Sequence, residues 1–365
     1  MARLTSIGVG GFKSIRNLQP FAIRPVNVLI GANGAGKSNL LSFFRLLKAI
    51  PSEKLQEFVG RAGGAGTLLY YGGKEIPTLW ASIGFEGKTG QGLYSFQLSS
   101  TAKDSLIFSD EQVEYRIAAG LPPKHHRLGS GHGESLLMSE ENYSEIVDLL
   151  AGIRIFHFED TSETAAIRRR GYIEENRQLR DDAGNLAAFL YDLRRRQPLY
   201  YRRIIAGIRQ IAPFFDDFDL APLRGDSNSI LLNWRDRESP YLFGPHQLSD
   251  GTLRAMALVA LLAQPEEDLP GLIVLDEPEI GLHPFAIETL AAHVKSASVH
   301  RSVVLATQSV ALVNQCAAED VVTVTREKAQ SRFERQSSQS LAEWLTDYAM
   351  GDLWEKNLIG GTPSR

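Results

Sequence analysis

One octapeptide restricts this chain more than any other stretch: Gly31-Ala32-Asn33-Gly34-Ala35-Gly36-Lys37-Ser38. It follows the apolar run Val26-Asn27-Val28-Leu29-Ile30 and precedes Asn39-Leu40-Leu41-Ser42-Phe43-Phe44-Arg45-Leu46-Leu47, which has helical apolar spacing. A buried strand therefore enters a glycine-rich loop and leaves as a helix, the setting that gives G-x-x-x-x-G-K-[ST] its meaning. Glycines let the backbone fold back until several N–H groups point at one anion, and the helix N-terminus adds its positive end there. Lys37 would place a point charge on the β- and γ-phosphates of a nucleoside triphosphate, and Ser38 would offer its hydroxyl to Mg²⁺. Asn33, Gly34, Ala35, Gly36, Lys37, Ser38 and Asn39 are accordingly the candidate nucleotide contacts.

Two further stretches carry chemistry. Gly271-Leu272-Ile273-Val274-Leu275-Asp276-Glu277 is an apolar strand that ends in two carboxylates. Beside the phosphate loop, Asp276 is expected in the Mg²⁺ shell and Glu277 on the attacking water. Leu248-Ser249-Asp250-Gly251 opens a predicted helix over 253–263 and offers a second anion site at a helix N-terminus. A plain helix cap by Ser249 or Asp250 explains the residue types but not why the chain has two such ends.

Composition narrows the class. A formal charge of −4 over 365 residues means that the whole molecule is not an electrostatic nucleic-acid binder. Yet 168–209 holds eleven Arg and no Lys against five acids, a local +6 that leaves −10 for the remainder. A DNA-contacting face and a solvated helical face with intrahelical ion pairs both account for it. The single cysteine, Cys316, excludes an internal disulfide and fits a reducing cytoplasm. The N-terminus lacks the apolar core of a signal peptide, and no run of about eighteen apolar residues exists to span a membrane. His125, His126 and His132 lack metal-ligand spacing and read as loop residues.

Along the chain, the pattern predicts strands over 3–9 and 21–30, parted by 10–15, and a glycine-rich loop over 60–73. Short alternating runs at 78–85, 93–98, 106–109 and 112–117 predict an antiparallel sheet, and 119–134 reads as a mobile connection. A strand and turn are expected over 154–160. Asp181-Asp182 can cap a helix with Leu186, Leu190 and Leu193 as its stripe, stopped by Pro198, and a second helix covers 200–212. A helix at 285–296, strands at 302–306 and 321–325, and an amphipathic helix at 341–348 complete the expectation. The closing segment Gly351-Asp352-Leu353-Trp354-Glu355 has no purpose that the pattern discloses.

Taken together, Gly31 to Asn39, Leu248-Ser249-Asp250-Gly251-Thr252-Leu253-Arg254 and Leu275-Asp276-Glu277-Pro278-Glu279-Ile280-Gly281-Leu282-His283-Pro284 resemble the ATP-binding-cassette ATPases. Within them the chain resembles the SMC, RecF and OLD branch over residues 1–325, nearest the stand-alone bacterial RecF-like AAA-family ATPases. Gly11-Phe12-Lys13-Ser14-Ile15 before the phosphate loop is typical of that branch, and Ala306-Thr307-Gln308-Ser309 stands at its switch position. The resemblance implies an α/β fold: a P-loop NTPase head of the ABC type with an antiparallel β subdomain and a helical Arg-rich insertion. It implies domains at 1–150, 151–240, 241–325 and 326–365. It implies ATP and Mg²⁺ as cofactors and a homodimer that sandwiches ATP, with Ser249, Asp250 and Gly251 reaching the partner's nucleotide in trans. Ser38 and Asp276 would hold the metal, and Glu277 and Gln308 would be the catalytic pair. The implied output is a switch that acts on nucleic acid or on a separate effector such as a nuclease, in anti-phage defence or DNA maintenance. The alternatives are the ATPase subunit of a transporter and a DNA-repair clamp without an effector.

The chain departs from the family in four places. The family's switch residue is usually His; Gln308 can orient a water but cannot gain a proton near neutral pH. No glutamine falls where the family's glutamine loop is expected, just after the glycine-rich 60–73 stretch. The long SMC coiled coil is absent, and the 57 residues after Gln308 are too few for the nuclease domain of OLD proteins.

Overall fold

The computed structural model describes residues 2–88, 90–116, 123–139, 141–223 and 225–362. The chain opens with a hairpin, β1 (Arg3–Phe12) and β2 (Ile15–Ala22), then β3 (Val26–Ile30) and α1 (Lys37–Ala49). The break expected over 10–15 shrinks to Lys13-Ser14. Gly8 and Gly10 belong to β1 because Ser82 and the Trp80 indole occupy the space where their Cβ atoms would stand. Glycine here marks close packing, not a turn.

The glycine-rich stretch is likewise not all loop, since α2 (Leu55–Arg61) and α3 (Ala65–Leu68) run through it. Both Glu134 carboxylate oxygens accept backbone N–H groups at the start of α2, from Leu55 and Gln56 at 2.9 Å. The Asp104 carbonyl takes the N–H of Ala65. These caps come from far along the chain, so local pattern does not reveal them.

β4 (Thr78–Gly87), β5 (Gly90–Ser100), β6 (Leu106–Arg116) and β7 (Lys124–Gly129) complete an antiparallel sheet of order β2-β1-β4-β5-β6-β7. The two runs at 106–109 and 112–117 are one strand, β6, with a register shift opposite Gln97 and Leu98; Ile117 lies outside the described residues. The connection expected over 119–134 is corrected too. Residues 119–122 lie outside the described residues, 124–129 form β7, and fully buried Glu111 pins the stretch 132–136. Glu111 accepts from Tyr94 Oη at 2.7 Å, Ser135 Oγ at 2.5 Å and Leu136 N at 3.0 Å, and pairs with His132 at 2.8 Å.

Then come α4 (Ser144–Ala151), β8 (Ile153–Phe156), β9 (Gly171–Tyr172), α5 (Leu186–Arg196) and α6 (Pro198–Ile211). Asp181 and Asp182 do not cap α5. Asn185 stands at the cap but turns its side chain away from the helix, to Arg180 N and the Glu175 and Gln178 carbonyls. Asp182 holds Gly184 N, and Asp181 pairs with Arg154 and Lys48. Pro198 starts α6 as well as ending α5, since the first helical position needs no N–H donor. β10 (Phe215–Asp219), β11 (Ser229–Ile230), β12 (Asn233–Asp236) and β13 (Ser239–Phe243) form two small antiparallel sheets, one of them through β9.

The last third supplies α7 (Asp250–Leu262), β14 (Leu272–Asp276), α8 (Pro284–Ser298), β15 (Ser302–Thr307), α9 (Val310–Val313), β16 (Val321–Glu327), β17 (Gln330–Arg335) and α10 (Met350–Glu355). β17 escapes a pattern reading because its hairpin turns through Lys328 and Ala329, both at positive φ without a glycine to announce it. The helix expected at 341–348 is a series of turns. The helix lies instead in the closing segment, docked on α9 with Gly351 N donating to Asn314 Oδ1 at 2.7 Å.

β17-β16-β3-β15-β14-β8 form the second sheet, parallel except for β17. Its alternating side chains separate two cores. Val28, Ile30, Ile273, Leu275, Val303 and Leu305 face the helices α5 to α8. Leu29, Leu272, Val274, Val304 and Ala306 face α1 and the antiparallel sheet, so α1 is buried between the sheets with Phe43, Phe44, Leu46 and Leu47 fully covered. No helix among the described residues is long and apolar enough to cross a membrane.

Candidate nucleotide-binding site

Parallel pairing puts the C-terminal ends of β3, β15, β14 and β8 along one edge of the sheet. The residues that follow these strands are therefore neighbours, and this edge is where open α/β sheets take ligands. After β3 comes the octapeptide. Gly36 caps α1 at φ 118° with no side-chain bond, so the helix's first N–H groups remain available. A Cβ on Gly36 would stand 2.0 Å from Ser331 Oγ, whereas one on Gly34, at φ 76°, would meet nothing within 4 Å. The loop is thus tight on its outer side and open at its tip.

Residues far apart in sequence hold that outer side. Ser331 Oγ donates to the Ala35 carbonyl at 2.5 Å and lies 2.6 Å from Ser14 Oγ, and Asn39 Nδ2 donates to Ser14 Oγ at 2.6 Å. Lys13 Nζ reaches Ser42 Oγ on α1 at 2.8 Å. The Phe12-Lys13-Ser14 motif therefore braces the phosphate loop, and Ala35 and Asn39 turn toward that brace. Asn33, Gly34 and Ser38 are exposed. Lys37, only 6% exposed, folds back so that Nζ donates to Gly31 O at 2.5 Å and Ala32 O at 3.3 Å. Burial lowers its pKa, and Glu277, Asp276 and Glu279 oppose that shift.

Asp276 ends β14 with its pKa raised chiefly by burial, while His157, Arg45 and Lys37 pull it back. Glu277 adopts a left-handed backbone at φ 43°, and its N–H donates to Ala306 O at 2.8 Å. A non-glycine residue held there is strained, as functional turns often are. Gln308 Nε2 donates to Glu277 Oε1, joining the two expected catalytic side chains. Glu279 emerges as a partner that sequence reasoning did not single out. It is 8% exposed, and its Oε1 accepts Thr307 Oγ1 at 2.5 Å and Gln308 N at 3.1 Å. Its Oε2 is buried without a hydrogen-bond partner among the described residues, and burial raises its pKa. Three carboxylates beside one lysine suit a divalent cation. Among the described residues no three metal-type side chains form a ready cage. Mg²⁺ fits such a site, since it is commonly held by one or two carboxylates plus phosphate oxygens.

β8, beside β14, is followed by His157 and Glu159, whose side chains meet at 2.6 Å. This loop lies next to Asp276, with His157 in electrostatic reach of it. The 249–251 turn lies at the head of α7. Ser249 Oγ accepts Thr252 N at 3.2 Å as a helix cap, Asp250 pairs with buried Arg168 at 2.7 Å, and Gly251 lies against Gly281 O. Arg168 also donates to the Thr161, Pro245 and Leu248 carbonyls, fixing the turn. Elsewhere in the Arg-rich stretch, Arg196 pairs with Asp192 and Asp268, Arg180 with Glu175 and Asp182, and Arg194 and Arg195 lie over Tyr201 and Tyr191.

Fold and loop together define a P-loop nucleotide-binding protein of the AAA kind, with the architecture of an SMC head domain. The chain belongs to the family described as "AAA domain, putative AbiEii toxin, Type IV TA system", which matches residues 26–314. No curated protein matches the sequence. Solved structures share the fold. An Smc head bound to the C-terminal winged-helix domain of ScpA is 13% identical, with a TM-score of 0.62 over 93% of this chain and 99% of that one. A Pyrococcus furiosus Smc head with an extended coiled coil, bound to the C-terminal domain of ScpA, gives 13%, 0.60, 95% and 99%. The SMC head domain from Thermotoga maritima gives 14%, 0.51, 92% and 99%.

Proposed function

We propose that the chain is an ATP-hydrolysing switch in which two copies close head-to-tail around ATP and Mg²⁺. Asn33 to Asn39 of one copy bind the phosphates, and Ser249, Asp250 and Gly251 of the other complete the site. The observation that supports this most is the hydrogen-bonded pair Glu277–Gln308 at the strand ends, in electrostatic reach of Lys37. On binding, the Lys37 ammonium exchanges the Gly31 and Ala32 carbonyls for phosphate oxygens, a stronger charge-assisted contact. Mg²⁺ beside Ser38 and Asp276 supplies charge neutralisation on the β- and γ-phosphates. Gln308 spends an N–H on Glu277 and keeps its carbonyl to accept from a water. An amide cannot take a proton, so Glu277 accepts it.

The family's printed description supports a setting in toxin–antitoxin or defence systems, with the closed dimer controlling an effector such as a nuclease. The Smc heads bound to ScpA domains are a precedent for a head that holds a protein partner. DNA is the other candidate target. The internal pairing of Arg180 and Arg196 supports a solvated, ion-paired face over DNA contact at the Arg-rich stretch. Phosphate release from ATP by purified protein, with Glu277→Gln as control, tests the reading. Equal release by both proteins contradicts it.

A further inference from the structure

Arg254 stands in α7, five residues after Ser249, and is 6% exposed. Among the described residues no carboxylate forms an ion pair with it. Backbone carbonyls satisfy it instead: Nε donates to Phe158 O at 2.8 Å, Nη2 to Glu159 O at 2.9 Å, and Nη1 to Ile280 O. A buried guanidinium is costly unless every arm finds an acceptor, and its planar fork cannot adjust one arm without the others. These acceptors belong to two separate loops. Phe158 and Glu159 follow β8, the sheet neighbour of β14, and Ile280 follows Glu277 by three residues. A small cleft of about 10 Å³, room for about one water, lies between them, lined by His157, Glu159, Arg254, Asp276, Glu277 and Ile280.

The head of α7 touches the same turn again. A Cβ on Gly251 would lie 2.2 Å from Gly281 O. The 277–281 turn is thus held by the Glu277 N–H on Ala306 O at one end and by α7 at the other. Glu277 sits in this turn with the strained φ of 43°, so a small displacement of α7 changes the direction of its carboxylate.

We propose that Arg254 is a positioning residue that transmits occupation of the 249–251 turn by a partner copy's nucleotide to Asp276 and Glu277 of its own chain. The proposal rests on the sandwich reading above. Arg254 touches neither nucleotide; it makes each site's chemistry depend on the other. Arg254→Lys keeps the charge and loses the fork. It is expected to bind ATP within about twofold of wild type while kcat falls on the order of tenfold or more and KM stays. In the Glu277→Gln background, Arg254→Lys should still dimerise with ATP. A wild-type kcat, or loss of ATP binding alongside turnover, overturns the proposal.

Hydrogen exchange decides without altering Arg254. Dimerisation of Glu277→Gln protein by ATP–Mg²⁺ should slow exchange at 158–160 and 279–282 relative to the ATP-free monomer. A closed dimer with unchanged exchange there contradicts transmission through Arg254. A Glu277→Gln protein that stays monomeric at saturating ATP removes the sandwich and this proposal together.

Discussion

The molecule has two serine- and glycine-marked helix heads, and they are built differently. At α1, Gly36 occupies the cap with no side chain, and the loop is braced from outside by Ser14 and Ser331. At α7, Ser249 caps its own helix through Thr252 N, and the turn is braced from inside by Arg168, which bonds Leu248 O and Asp250. The first head keeps its N–H groups for a ligand, as an anion site requires. The second is already self-satisfied, so a phosphate there competes with an existing cap. In the proposed dimer, one head is a receptor in its own right, and the other adds to a ligand brought by a second copy.

Removing the cation from the first head should have the largest effect. Lys37→Ala removes the cation closest to the phosphate loop and should abolish ATP binding, read by calorimetry. Wild-type affinity would deny that this head is the receptor. Next in size, Glu277→Gln should lower turnover on the order of a hundred- to ten-thousand-fold. Binding should persist, and the protein should shift to at least dimer on sizing chromatography with ATP–Mg²⁺, because losing that charge also relieves repulsion with the γ-phosphate.

The second head calls for a paired test. Ser249→Arg should leave ATP binding by the monomer intact while suppressing hydrolysis. Ser249→Ala should cost about 1 kcal/mol of stability by thermal melting, since only the cap is lost. If both hydrolyse at the wild-type rate, the 249–251 turn is merely a cap. Gly251→Asp is the poorer probe, because any Cβ there strikes Gly281 O. The smallest effect is expected from Ser331→Ala. Losing one brace of about 1 kcal/mol should weaken ATP about fivefold without changing kcat. An unchanged affinity would show that the loop is rigid without its brace.

The same comparison explains what was legible in the sequence. The strand, loop and first helix read directly, because apolar spacing and glycine placement are local signals. The strands that end at Asp276 and before Gln308 read almost as directly as apolar runs, but the two cores that their alternating side chains separate did not. Bonds formed across long separations did not. Ser331 acts on Ala35 from 296 positions away, and β17 lacks the glycine turn that would announce its hairpin. Glu134 capping α2 and Glu111 pinning 132–136 made structure where Gly and Pro suggested loops. The closing segment was opaque because Gly351 works through a close approach to α9 that only the fold reveals. Arginines that read as a surface charge proved mixed: Arg168 is buried structure, and Arg196 closes an ion pair with Asp268 on a distant turn.

That one nucleotide site is built from both heads, in two copies, is the central claim, and a mixing experiment tests it most directly. Lys37→Ala and Ser249→Arg proteins should each be inactive alone. Mixed in equal amounts, half of the dimers pair unlike copies, and each of those has one site with an intact Lys37 facing an intact Ser249. Independent sites would recover about a quarter of the wild-type ATPase rate. Coupling through Arg254 lowers that figure, because the copy with the intact Lys37 has its own 249–251 turn facing a loop without nucleotide. A rate above that of either protein alone is the predicted result. A mixture as inactive as its two components would contradict the account.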